Sequence, residues 1–203
     1  MTDPVDARPA EARPAPARPR RRRRRVLAET AVTILTAVLL AGLGRAFAFQ
    51  TFYIPTSSMV PTLGVGDRIL VQKAFFSWHD VREGDIVVFS QPPLDHCGGQ
   101  GDLVKRVIAL PGQAIYSSGG TIYVNGRPLA EPYLPQYDPL GPPVPNATSQ
   151  HPYRVPPGEF YMMGDNRAIS CDSRYWGPIT GSSIVGKVIL AWWHGNHPDF
   201  HAF

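Results

Sequence analysis

Residues 101–110 read Gly-Asp-Leu-Val-Lys-Arg-Val-Ile-Ala-Leu. A Gly-Asp step leads into a run of aliphatic and β-branched side chains, broken only by Lys105 and Arg106. This is the form of a turn feeding a strand. The same grammar recurs upstream, where Gly66-Asp67 opens the run Asp67 to Gln72 and Gly84-Asp85 opens Asp85 to Phe89. Downstream, Thr121 to Val124 ends in Asn125-Gly126, the signature of a tight hairpin. Phe160 to Met163 and Ser183 to Trp192 complete the set. No amphipathic helical period appears after residue 45. Short strands without alternating helices predict a mainly β fold built on an antiparallel β-sheet. The Pro-rich stretch Tyr133 to Pro157 lacks periodicity, and about residues 111–157 are expected to form a smaller inserted excursion. The β-rich domain is expected over 45–193, with a tail at 194–203.

The N-terminus has a different character. Residues 1–25 are almost free of large apolar side chains and end in an unbroken run from Arg20 to Arg25. Such a segment buries too little surface to offset its conformational entropy, so it is expected to be a disordered basic tail. With Arg8, Arg13 and Arg18, that run exceeds the whole formal net charge of +4. The rest of the chain is therefore near neutral, and no aromatic residues interleave with the arginines as a nucleic-acid surface would require. Val26 to Gly44 follows at once, with Glu29 as its sole charge. At the helical rise it spans about 28 Å, close to the hydrocarbon thickness of a bilayer. It predicts a single transmembrane helix with the arginine end in the cytoplasm. Ala46-Phe47-Ala48 resembles a leader cleavage site, but the apolar stretch is longer than a leader's. An uncleaved anchor is the expectation.

Three segments of the outer domain combine reactive groups with backbone punctuation. In Ile54-Pro55-Thr56-Ser57-Ser58-Met59-Val60-Pro61-Thr62-Leu63, hydroxyls crowd between two prolines. By itself that describes a turn. In Val104-Lys105-Arg106-Val107-Ile108, a lysine stands in an apolar strand. Either it snorkels, or burial on one side favours a neutral amine. The third segment is Gly164-Asp165-Asn166-Arg167 followed by Ser170-Cys171-Asp172-Ser173-Arg174, with Tyr175-Trp176-Gly177 behind it.

Together and in this order, after a basic N-terminus and a membrane anchor, these segments resemble the bacterial type I signal peptidases, a Ser/Lys-dyad protease family. The resemblance runs from about Val26 to Lys187. It implies a membrane-anchored serine endopeptidase in which Ser58 attacks the scissile carbonyl and Lys105 is the general base. It implies that Ser170 hydrogen-bonds the lysine, and that the Ser58 N–H and the Thr56 hydroxyl form an oxyanion hole. Threonine stands at 56 where many relatives have serine. Asp172 and Arg174 are implied to be structural support. The implied substrates are secretory preproteins cut after small residues at A-x-A sites, beside the plasma membrane and near the secretion translocase. No cofactor, metal or nucleic acid is implied. Chemistry agrees on the dyad, because a serine hydroxyl needs an adjacent base.

Cys97 and Cys171 are the two cysteines of the chain, both beyond the anchor on the oxidising side. Cys171 adjoins Ser170, and Cys97 opens the Gly-rich loop before the Lys105 strand. A Cys97–Cys171 disulfide is one expectation, two separate thiols the other. His79, His96 and His151 have no motif around them, and His194, His197 and His201 lack a partner at metal-ligand spacing. A self-cleaving repressor-type Ser/Lys protease would carry a DNA-binding domain in place of the anchor. A non-enzymatic membrane-anchored β-module would leave the joint presence of Ser58, Lys105 and Ser170 without a reason.

Overall fold

The computed structural model describes residues 20–74, 76–93, 97, 101–135, 141–194 and 197–203. The expectations for residues 1–19, for His96 and for the loop residues 98–100 fall outside them. The chain divides into two compact units, Met1–Gly44 and Arg45–Phe203.

In the first unit the helix α1 (Arg20–Ala48) begins within the basic run. The sequence reading placed Arg20 to Arg25 in a disordered tail. Arginine is among the better helix formers, and no proline follows Pro19 to interrupt the run. Arg23–Gly42 is long and apolar enough to cross a membrane, and it is wholly exposed within the chain itself. Its threonines are satisfied internally: the hydroxyls of Thr30, Thr33 and Thr36 donate to the carbonyls of Val26, Glu29 and Val32 at 2.8–2.9 Å. In lipid no water would do this for them.

The second unit is antiparallel β. Its strands are β1 (Phe49–Tyr53), β2 (Arg68–Gln72), β3 (Ile86–Ser90), β4 (Asp102–Ala109), β5 (Ala114–Ser118), β6 (Thr121–Val124), β7 (Arg127–Pro128), β8 (Tyr153–Arg154), β9 (Glu159–Met163), β10 (Ile179–Thr180), β11 (Ile184–His194) and β12 (His197–Ala202). A short helix, α2 (Ser173–Trp176), follows β9. The main sheet has the order β1-β2-β11-β3-β4-β9-β10, with β12 also paired to β11. A second sheet, β7-β6-β5-β8, occupies the excursion.

β3 shows why the main sheet forms. Ile86 and Val88 pack into one cluster with Met59, Leu63, Ile69, Val71 and Val188. Val87 and Phe89 pack into another with Val107, Phe160, Met162 and Trp176. A period of two thus sends alternate side chains into cores on both faces, which is why the run reads as continuously hydrophobic. Each such side chain contributes about 1.5–3 kcal/mol on burial. The excursion has its own reason to stay attached: Ile115, Ile122, Val124, Val144 and Val155 bury themselves against Ile108, Tyr161 and Met163 of the main sheet.

Two regions differ from the sequence reading. Around the expected strand Thr121 to Val124 and its hairpin, β5 and β8 complete a sheet within the excursion, and β12 occupies part of the expected 194–203 tail. β5 is a short Ala-Ile-Tyr run that ends in two Ser, and β12 carries Pro, Asp and two His. β5 is too short to stand out before it pairs with β6, and the strand character of β12 comes from pairing to β11 and not from its own propensity.

Candidate active site

Ser58 sits in the loop that leaves β1. That loop is pinned where it starts, with Ile54 N–H donating to the Asp67 carbonyl and Gly66 N–H to the Ile54 carbonyl, both at 2.9 Å. Three apolar side chains then root it in the core: Ile54, Met59 and Leu63 are almost wholly buried. The serine between them is half-buried. Anchors on both sides of a polar turn fix the nucleophile's backbone without covering its hydroxyl.

Lys105 lies at mid-strand in β4, directly opposite Val87 of β3. Leu103 and Val107, two residues away on either side, pack into the same cluster as Val87. The lysine stem therefore belongs to an apolar row, and the residue is 4% exposed. Its Nζ reaches Ser58 Oγ at 2.7 Å. Thr56 Oγ1 is 3.3 Å from the same Ser58 oxygen. Three residues from two distant segments thus converge on one atom.

The segment after β9 forms the back of the site. Asn166 N–H donates to the Ser58 carbonyl at 3.1 Å, and Asn166 Nδ2 donates to the Ser57 carbonyl at 3.2 Å. Gly164 comes closer still: a Cβ built there would lie 2.2 Å from Ser170 Oγ and 2.4 Å from the Ser58 carbonyl oxygen. Only glycine lets the backbones meet. Among the described residues, the buried Ser170 hydroxyl has no hydrogen-bond partner, so the bond to Lys105 implied by the resemblance is not formed in this structure.

Ion pairs hold this segment in shape. Asp172 takes two bonds from Arg174, Nε to Oδ1 and Nη2 to Oδ2, each 2.8 Å, and its Oδ2 also accepts from the Gly164 N–H at 3.0 Å. Asp172 thereby sets the glycine that touches Ser58. Arg106, next to the lysine, binds Asp165 through Nε and Nη2 at 2.8 and 2.6 Å. Its guanidinium carbon stacks 3.8 Å above the Tyr133 ring. Arg167 pairs with Glu131, which also accepts the Tyr133 hydroxyl at 2.9 Å. Burial opposes the charge on Arg167, but the hydrogen bond and charge of Glu131 outweigh it and raise the guanidinium's pKa. Burial, with the Glu131 charge behind it, pushes the Tyr133 hydroxyl well above its ordinary range. Both groups keep their protons at any ordinary pH.

Cys97 and Cys171 form a disulfide with Cα atoms 6.3 Å apart, which ties the approach to β4 to the residue after Ser170. Glu131, Tyr133, Asn166 and Gly164 were not singled out individually from the sequence. For the last two a signal existed, since they stand inside the same motif as Ser170. For Glu131 and Tyr133 there was none, because they lie in the aperiodic excursion.

A cleft runs past these groups, lined by Phe52, Ile54, Thr56, Ser58, Leu103 and Lys105 among others. β3 pairs with residues 102–106 of β4, whereas β9 joins β4 only from Arg106 onward. Among the described residues, no second strand pairs with 102–104, and these residues line the cleft. β1 ends the main sheet, and the chain following it supplies the other wall.

Sequence comparison matches residues 27–193 to the family model described as signal peptidase, peptidase S26. The chain is 40% identical over 168 residues to the probable signal peptidase I-1 of Synechocystis sp., covering 81% of each chain. It is 35% identical to the signal peptidase I of Leptolyngbya laminosa, over 84% of this chain and 81% of that one. With the signal peptidase I of Bacillus caldolyticus it shares 37% identity, over 77% of this chain and 86% of the relative.

Proposed function

Because the chain belongs to the signal peptidase family, peptidase S26, we propose that it removes signal peptides with Ser58 as nucleophile and Lys105 as general base. The observation that carries this reading is the 2.7 Å contact between Lys105 Nζ and Ser58 Oγ at the floor of the cleft. A serine becomes nucleophilic when a base takes its proton, and an amine can do so only while it is neutral. Burial among apolar neighbours works in that direction.

The preprotein lies extended in the cleft, where residues 102–104 of β4, joined by β3 on one side, offer backbone partners for an added strand. Ser58 Oγ attacks the scissile carbonyl, and its proton passes to Lys105 Nζ. The oxyanion is held by the Ser58 N–H and the Thr56 hydroxyl, donors fixed before charge develops. Collapse of this intermediate breaks the C–N bond, and Lys105 returns the proton to the leaving amine. A water then gives its proton to Lys105 and attacks the ester, which releases the signal peptide and restores Ser58. Among the described residues, the Ser58 N–H makes no hydrogen bond, consistent with a donor kept for the substrate. The apolar walls at Phe52, Ile54 and Leu103 suit small side chains at the cut, of the A-x-A type. The span Arg23–Gly42 crosses the plasma membrane with its arginine end in the cytoplasm, so that the peptidase domain meets preproteins as they leave the translocase. Asp172 and Arg174 act as support, and the Ser170 hydroxyl turns to Lys105 during turnover.

The test uses detergent-solubilised full-length protein and a preprotein with an A-x-A site. Ser58→Ala and Lys105→Ala should each lower kcat by roughly 10⁴-fold or more, with folding retained. Cleavage by either variant at the wild-type rate would refute the dyad.

A further inference from the structure

We infer that Asn166 is a positioning residue for the oxyanion hole: its side-chain amide aims the Ser58 N–H by holding the opposite end of the same peptide plane. The inference rests on the proposed role of Ser58.

The Ser57 carbonyl and the Ser58 N–H belong to one peptide unit. That unit is trans, since the cis bond among the described residues is Val60–Pro61. In a trans peptide the C=O and N–H point in opposite directions within one plane. Whatever fixes the Ser57 oxygen on one side therefore fixes the Ser58 hydrogen on the other. The Ser57 oxygen accepts two bonds: Val60 N–H at 3.1 Å, within its own turn, and Asn166 Nδ2 at 3.2 Å, from across the site. The turn bond travels with the loop and so cannot orient the loop against the rest of the domain. The Asn166 bond can, because Asn166 belongs to the segment fixed by the Asp165–Arg106 and Asp172–Arg174 pairs.

The following peptide plane is tied to the same residue, as Asn166 N–H donates to the Ser58 carbonyl at 3.1 Å. Main chain and side chain of Asn166 thus grip the planes on both sides of the nucleophile. The main-chain bond survives any substitution at 166, but the side-chain bond does not. A substitution there therefore isolates the plane that carries the oxyanion donor. The Lys105–Ser58 contact involves neither plane directly, so proton abstraction is spared.

This separation makes the test specific. Asn166→Ala removes the donor, and Asn166→Asp replaces it with a carboxylate facing the Ser57 carbonyl. Three readouts are compared in the full-length detergent-solubilised enzyme: kcat and KM on a preprotein, inhibition by a peptide aldehyde that forms a hemiacetal with Ser58, and binding of an uncleavable peptide of the same sequence. Loosening one preorganised donor should lower kcat roughly 10- to 100-fold, with the aspartate variant worse. KM and uncleavable-peptide binding should stay within about twofold, while aldehyde affinity falls by the same factor as kcat. In Asn166→Ala, which adds no charge, the acid limb of the pH–rate profile should not move. Unchanged kcat in both variants, or a kcat loss without a matching loss of aldehyde affinity, would overturn the inference. Failure of the dyad itself is read separately, through activity in Ser58→Ala or Lys105→Ala.

Discussion

Replacing Gly164 by alanine should disable the enzyme while leaving it folded. The new Cβ would lie 2.2 Å from Ser170 Oγ, 2.6 Å from Ser170 Cβ and 2.4 Å from the Ser58 carbonyl oxygen. Ordinary contacts need about 3.4 Å or more, so something must retreat by about 1 Å. Rotating Ser170 clears its hydroxyl but not its Cβ. The Ser58 carbonyl is backbone, bound on its far end by Asn166. Part of the displacement must therefore pass into the nucleophile's own main chain. A misplacement of about 1 Å at reacting groups costs about 10²-fold in rate, whereas overpacking costs about 1–3 kcal/mol in stability. For a chain of this size that lowers the melting temperature by about 2–12 °C. The assay pairs kcat/KM on a preprotein with thermal unfolding of the same sample. Adding Ser170→Gly removes two of the three clashes and should restore most of the stability but little of the activity, because the clash with Ser58 persists. Wild-type kcat/KM in Gly164→Ala would refute the claim that this glycine seats the nucleophile.

Ser170→Ala tests a different point. It removes a buried hydroxyl that has no partner, so urea unfolding should show equal or higher stability, while kcat falls about tenfold if the hydroxyl turns to Lys105 during turnover; unchanged kcat would remove Ser170 from the mechanism. Glu131→Ala leaves the guanidinium of Arg167 buried without its carboxylate, and should cost about 3–5 kcal/mol in urea unfolding; a loss below about 1 kcal/mol would mean that the excursion does not brace the site. The disulfide joins cysteines 74 residues apart, and cross-linking a loop of that length stabilises by up to about 4 kcal/mol. Alkylation without reductant should leave both cysteines unmodified by intact mass, and reduction should shift the unfolding midpoint downward; two alkylated thiols in the native enzyme would refute the bridge.

How much of this was legible depended on where each residue's environment comes from. Runs such as residues 107–110 and 86–89 announce themselves, because strands buried on both faces need unbroken apolar residues. Hairpin chemistry at Asn125-Gly126 is equally local, with both residues at positive φ. β5, β8 and β12 gave no such sign, since their pairing partners supply what their own residues lack. The candidate site was legible as a set of motifs, because a nucleophile, a base and a rigid Gly-Asp turn require particular residue types. Its buried braces were not. Glu131 and Tyr133 sit in the excursion, at or just before its proline-rich stretch, and become recognisable only when the fold places them against Arg167 and Arg106.

Ser58 and Lys105 mark the boundary between the two kinds of knowledge. Residue order alone establishes an apolar segment able to span a bilayer, a β-rich domain after it, and a serine and a lysine set in motifs of a known order. Residue type and short-range pattern suffice for that. It took the folded arrangement to put the lysine in the row of Leu103 and Val107, to bring its amine to Ser58 Oγ, and to back the nucleophile with Gly164 and Asn166. The contacts of Ser58 and Ser57 with Lys105 and Asn166 join residues from about 50 to over 100 positions apart, and no local pattern encodes a distance between segments that meet only when cores on both faces of one sheet close together.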